Sequence, residues 1–262
     1  MTEQTIPLSE GSETQTVLDV RWEGSAVWAT IQRPDARNAL NRELRRQFHT
    51  LLDQLETHPT CKALVILGQG DVFCTGMDLE EAEATEQPTP VHEEMLYKRL
   101  ASLPCTVIAV VEGEAAGGGV GLAAACDIVI ANSKARFSLP EALWGLVPVT
   151  VLPYLVRRIG FQKTYDMTLT TRTVIAAEAH QFHLIDILHE SPRKACELLI
   201  RRVSRVSKQT VQEVKAYFRG LGVLDDAIEQ NAMEQHLDYF SRKDVRERFR
   251  RFREEGKRPW EQ

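Results

Sequence analysis

Apolar and polar positions divide the chain into short blocks of different period. Residues 17–22 and 26–32 read as two strands, joined by a turn at Glu23-Gly24-Ser25, and Arg33-Pro34 ends the second. From Asn41 the period lengthens. Leu44, Phe48, Leu51, Leu52 and Leu55 recur at helical spacing, which predicts a helix to about residue 56 with Asn41 as its cap. Residues 63–67 form a short apolar run expected to be a buried strand. A turn at 68–71 then leads to 72–75, where Gly76 breaks the pattern. The acidic stretch 80–95 carries two prolines and reads as a surface loop. A helix is expected over 92–103, stopped by Pro104, followed by a β-branched strand over 107–111. Next come the densest glycine cluster of the chain, a short alanine-rich helix, and strands at 128–131 and 136–138. Beyond about residue 150 the pattern is helical, over 153–159, 163–169, 176–182, 194–204, 210–221 and 224–239. Strands alternating with helices and then helices alone predict an α/β core with a helical C-terminal extension. The expected division is a disordered tail over 1–16, a core over 17–200 and a helical region over 201–262.

Composition narrows the function classes. A net charge of −5 argues against a generic nucleic-acid binder. No apolar run is long enough to span a bilayer, and the polar, acidic N-terminus lacks the features of a signal or transit peptide, so a cytoplasmic protein is expected. The cysteines, Cys61, Cys74, Cys105, Cys126 and Cys196, are odd in number and contain no CxxC pair. They read as reduced thiols in or near the core. The seven histidines show no metal-ligand spacing, and no metal is expected.

The informative segment is Val107-Ile108-Ala109-Val110-Val111-Glu112-Gly113-Glu114-Ala115-Ala116-Gly117-Gly118-Gly119-Val120-Gly121-Leu122-Ala123-Ala124-Ala125-Cys126-Asp127. A strand feeds three successive glycines, which feed a helix. Glycine lets a ligand approach the backbone, and a helix start offers free N–H groups and partial positive charge. Three uses fit. Gly119-Val120-Gly121-Leu122-Ala123-Ala124 matches a G-x-G-x-x-A dinucleotide fingerprint, but several residues separate it from its strand and the helix is short for a crossover. An oxyanion hole needs the same free N–H groups at a carbonyl oxygen that develops charge. The third use is close helix–strand packing without a ligand.

Several motifs, in this order and spacing, resemble the enoyl-CoA hydratase/isomerase (crotonase) family. They are Arg33-Pro34-Asp35-Ala36-Arg37-Asn38-Ala39-Leu40, Phe73-Cys74-Thr75-Gly76-Met77-Asp78-Leu79, the glycine segment with Ile128-Val129-Ile130-Ala131, and Ala135-Arg136-Phe137-Ser138-Leu139-Pro140-Glu141. The resemblance implies a spiral of ββα units with a C-terminal helical trimerisation region, a homotrimer or hexamer, and no cofactor beyond the phosphopantetheine of CoA or an acyl carrier protein (ACP) that bears the substrate. It assigns an oxyanion hole to the backbone N–H groups of Met77 and Gly118, in a site that includes Gly76, Gly117, Gly119, Trp144 and Arg37. Hydratases of the family use two glutamates. At the first position this chain has Gly121, which puts ordinary hydratase activity in doubt, and at the second it has Glu141. Asp78 is either a helix cap or a second acid.

Residues 137–160 resemble one subgroup in particular, the dehydratases of polyketide β-branching cassettes, which convert 3-hydroxy-3-methylglutaryl-ACP to 3-methylglutaconyl-ACP. The resemblance implies that Glu141 removes the α-proton. Lys98 and Arg99 are the nearest cations for the substrate's free carboxylate. Two basic clusters, Arg42/Arg45/Arg46 and Arg157/Arg158/Lys163, and also Arg37, could meet an acidic carrier. A Δ3,Δ2-enoyl-CoA isomerase and a non-catalytic binding protein of the same fold are the alternatives.

Overall fold

The structure, a computed structural model, describes residues 16–84, 92–222 and 224–261. The expected tail lies outside these residues apart from Thr16, as do 85–91 of the acidic stretch.

Two sheets stack along a spiral. The larger has the order β1 (Leu18–Glu23), β2 (Ala26–Ile31), β3 (Ala63–Gly68), β5 (Thr106–Val111), β7 (Ile128–Ala131) and β10 (Ile187–Leu188). Only β1 runs antiparallel to its neighbour. The smaller has the order β4 (Val72–Cys74), β6 (Glu114–Ala116), β8 (Arg136–Ser138) and β9 (Val174–Ile175). Each turn of the spiral therefore lays one strand in each sheet before a helix returns the chain, which is the expected ββα repeat. All six residues of β5 are buried, as its unbroken apolar run requires of a strand covered on both faces.

The helices of the core are α1 (Arg42–Thr57), α2 (Leu79–Ala84), α3 (His92–Ser102), α4 (Gly118–Ala125), α5 (Leu152–Thr170), α6 (Ala176–Gln181) and α7 (Pro192–Val203). Asn41 caps α1 through its side chain, which accepts from the Leu44 amide at 2.9 Å, and Leu44, Phe48, Leu51, Leu52 and Leu55 are fully buried. The two helices expected at 153–159 and 163–169 join as α5, interrupted at Gly160, whose φ of 77° and ψ of 168° leave the helix. All five cysteines are buried, and none is in a disulfide. No helix among the described residues is long and apolar enough to cross a membrane.

The acidic stretch is not a loop throughout, because its first residues form α2. The glycine triplet does not precede its helix either: α4 starts at Gly118, so Gly119 and Gly121 lie within its first turn. The triplet leaves β6 of the smaller sheet rather than β5, which removes the strand–turn–helix context that a dinucleotide fingerprint requires.

The C-terminal helices are α8 (Lys208–Arg219), α9 (Asp226–Ser241) and α10 (Lys243–Glu255). α9 packs against α5, and α10 against α2 and the 3-10 turn Pro140–Trp144. Helices α9 and α10 close over the mouth of the spiral of the same chain, and α8 packs against α3.

Candidate active site

A cavity of about 670 Å³ opens where these parts meet. Met77, Asp78, Gly117, Gly118, Glu141 and Trp144 line it, with Arg37 among its walls. Gly76 and Gly119 do not. Their place is in the packing beneath, which corrects their assignment to the substrate. A Cβ at Gly119 would lie 2.0 Å from the Cys74 carbonyl oxygen, and one at Gly76 would lie 2.5 Å from the Gly118 nitrogen. These two glycines let α4 press its N-terminus onto the end of β4, which brings Met77 and Gly118 together.

Gly117 makes the turn. Its φ of 51° and ψ of −122° suit glycine alone. Its amide donates to the Ser138 carbonyl at 2.9 Å, tying the turn to β8. Its carbonyl accepts from Val120 and Gly121, starting α4. Among the described residues, neither the Met77 nor the Gly118 amide donates to another group of the protein. Two donors on a cavity wall, one at a helix N-terminus, are suited to an oxygen that gains negative charge.

Glu141 stands over this turn. A Cβ on Gly117 would be 2.9 Å from Glu141 Oε1, and Oε2 is shut off from solvent. Its 3-10 turn ends at Gly145, where Arg248 of α10 donates to the Trp144 carbonyl at 3.1 Å and pairs with Asp244 at 3.0 Å. The C-terminal helix thus helps to hold the carboxylate's segment in place. A basic or acidic group beside two free amides can move a proton at the carbon next to a bound carbonyl.

Asp78 is committed elsewhere. Oδ2 accepts from Arg33 at 2.8 Å, and Oδ1 accepts from the Glu81 amide at 3.2 Å, capping α2. Arg37 sits at a positive φ of 51° and pairs with Glu114. The turn is held by buried Asn38, whose amide donates to the Gln69 and Val72 carbonyls at 3.0 and 2.6 Å.

Lys98 and Arg99 do not reach the cavity. Lys98 pairs with Asp226 and Glu229 of α9, and Arg99 with Asp53 and Glu56 of α1. In the second basic cluster Lys163 and Arg157 are exposed, and Arg157 and Arg158 are tied to the end of α4. They donate to the Ala124 and Cys126 carbonyls, where cations favour the C-terminus of α4, and Arg158 also pairs with Asp186. Arg45 and Arg46 are paired with Glu81 and Glu43.

Sequence reasoning missed the cavity's outer wall of His236 and Phe240 from α9 and Phe249 and Phe252 from α10. Trp144 stacks on Phe249 at 4.9 Å and meets Phe252 edge-on at 5.2 Å. The i, i+4 pair His236/Phe240, with rings 4.4 Å apart, was the available signal.

Burial, aided by the nearby Arg45 cation, lowers the His236 pKa to about 4. The unfolded chain takes up this proton near pH 6.5, and the folded protein refuses it until about pH 4. Stability from this group is therefore complete above pH 6.5 and lost as pH falls through that window, by about 3 kcal/mol in all. Urea unfolding of wild type and His236→Gln at pH 7 and 4.5 checks this. The variant is expected to escape about 2 kcal/mol of the wild type's acid loss, and equal losses would contradict the assignment.

Comparison with known proteins gives the same picture. The profile of the enoyl-CoA hydratase/isomerase family matches residues 22–262. The bacillaene synthase dehydratase PksH of Bacillus subtilis (strain 168) is 33% identical over 257 residues, covering 95% of this chain and 98% of that protein. The enoyl-CoA hydratase AFT6-1 of Alternaria alternata is 31% identical over 207 residues, covering 77% and 69%. The crystal structure of pksH from Bacillus subtilis superposes with a TM-score of 0.88 at 31% identity, over 93% of this chain and 99% of that one. With the spiral fold, the paired amides and the matching profile in place, the chain belongs to the enoyl-CoA hydratase/isomerase family of enzymes.

Proposed function

We propose that this enzyme dehydrates 3-hydroxy-3-methylglutaryl-ACP to 3-methylglutaconyl-ACP. One observation carries the reading: Glu141 is set against the Gly117 turn that leads to the Gly118 amide, while position 121, where hydratases of the family carry a second glutamate, is a glycine in a crowded place. A Cβ there would lie 2.9 Å from Val151 and 3.0 Å from the Tyr97 ring. The likeness to PksH, named as a dehydratase of bacillaene synthase, supports it over nearly the whole chain.

In this reading the thioester oxygen accepts from the Met77 and Gly118 amides. Glu141 takes the proton from C2, and the electron pair moves onto the oxygen as an enolate. Collapse of the enolate forms the C2–C3 double bond and breaks the C3–O bond. Glu141 returns its proton to the leaving hydroxyl, so water departs and the carboxylate is restored. One carboxylate serves both steps when proton and hydroxyl share a face. Asp78 acts by holding Arg33 and α2, since both its oxygens are engaged. Trp144 and the α9–α10 aromatics enclose the acyl chain, and Arg37 sits on the carrier side. We assign self-association, as a trimer, to the C-terminal helical region, where Val214, Tyr217, Phe218 and Leu221 are exposed.

Intact-mass analysis of 3-hydroxy-3-methylglutaryl-ACP after incubation with the enzyme tests the reaction. Loss of one water is expected. An unchanged mass on a competent carrier would contradict the reading, and turnover of a 3-enoyl-CoA would then favour the isomerase, which also needs only one carboxylate.

A further inference from the structure

Behind the cavity wall stands a residue that neither lines the cavity nor meets solvent. Tyr97 of α3 is fully buried, and its hydroxyl donates to the Gly118 carbonyl at 2.7 Å. Gly118 is the first residue of α4, so this bond grips the peptide that follows the proposed oxyanion amide. The Tyr97 oxygen would lie 3.0 Å from a Cβ at Gly118, and its Cε2 and Cζ each 3.0 Å from one at Gly121. One side chain therefore fixes the orientation of the first turn of α4 and occupies the space above its fourth residue.

Tyr97 is itself braced. Its ring meets Tyr154 of α5 edge-on at 5.7 Å. The Tyr154 hydroxyl donates to Glu229 of α9 at 2.7 Å, and Glu229 pairs with Arg219 and Lys98. Burial and the Glu229 carboxylate raise the Tyr154 pKa, keeping its phenol protonated. Helix α9, which lines the cavity with His236 and Phe240, is thus connected, through two tyrosines, to the peptide that follows the amide.

We propose that Tyr97 is the positioning residue of this site: its hydroxyl aims the Gly118 amide, and its ring, together with Val151, crowds position 121 against a larger side chain, which favours a site with one carboxylate there. The proposal rests on the oxyanion reading of Met77 and Gly118, and not on the identity of the acyl group.

The test uses a saturated acyl thioester, butyryl-CoA labelled with 13C at the carbonyl, which has no hydroxyl to lose. Infrared difference spectra of the bound probe report hydrogen bonding to its carbonyl. The wild type is expected to shift the band to lower frequency. Tyr97→Phe, which keeps the ring, is expected to lose at least half of that shift, and on the hydroxyacyl-ACP to lower kcat about tenfold with KM within twofold. Glu141→Gln is expected to keep the shift. A full shift and full kcat in Tyr97→Phe would overturn the positioning role, as would an unshifted band in the wild type. A wild type that shifts the band but fails to dehydrate the hydroxyacyl-ACP would overturn the proposed reaction and leave the Tyr97 role supported. For the second half of the proposal, Gly121→Ala is expected to lower Tm in the wild-type background and to lower it by a smaller amount in Tyr97→Ala, where only the Val151 contact remains. Additive losses would overturn it.

Discussion

Glu141→Gln is expected to reduce kcat for dehydration by a factor of about 10²–10⁴, the range spanned by a positioned general acid–base group. The substitution keeps the side chain's size and removes its ability to take a proton. It leaves the Met77 and Gly118 amides untouched, so KM is expected to stay within about threefold, the behaviour of a group whose contribution is made in the transition state. Its 3-10 turn is held by Arg248 and ends at Gly145, and Gln keeps the side chain's hydrogen-bonding shape, so Tm is expected to move by no more than about 2 °C. Single-turnover kinetics on the hydroxyacyl-ACP, followed by intact mass, separates these quantities. A kcat within threefold of wild type would remove Glu141 as the base. A collapse of Tm would show that its contribution is to folding.

The second large effect belongs to a residue with no chemistry of its own. Gly119→Ala is expected to destabilise the protein by more than about 4 kcal/mol, in the range reached only by severe core disruption. The added methyl would lie 2.0 Å from the Cys74 carbonyl oxygen and 2.7 Å from its carbon. Both are backbone atoms at the end of β4, which cannot swing aside as a side-chain tip could. Relief requires α4 to lift away from β4, and with it Gly118 away from Met77. For a chain of this size the loss corresponds to about 8–16 °C in Tm, read by thermal unfolding, or to no soluble protein. A Tm within about 2 °C of wild type would show that α4 and β4 are not in this contact.

Much of this was legible in the sequence because it depended on local rules. The glycine triplet, the Asn41 cap and the leucine spacing of α1 act over a few residues, and the alternation of strands and helices follows from where the short apolar runs fall, while the ββα spiral was implied by the family resemblance. The split in α5 was legible too, as Gly160 interrupts its pattern. What the sequence hid was set by tertiary contact. Strands β6, β9 and β10 have three, two and two residues, too few to show a period. Helix α10 places buried Val245 and Phe249 among arginines, so its apolar stripe is thin. Lys98 and Arg99 were chosen for the substrate by their sign and place in the chain. Their carboxylate partners come from α1 and α9, and for Lys98 the contact spans 128 residues. Gly121 was visible as a missing glutamate, but Tyr97, which fills its space, lies on another helix.

The most direct measurement is a crystal structure of the protein with a stable ketone analogue of the acyl-pantetheine thioester. The account predicts the ketone oxygen within about 3.1 Å of both the Met77 and Gly118 nitrogens, with C2 facing the Glu141 carboxylate. An analogue that occupies the cavity with its oxygen turned away from both amides, or with C2 out of reach of Glu141, would contradict it.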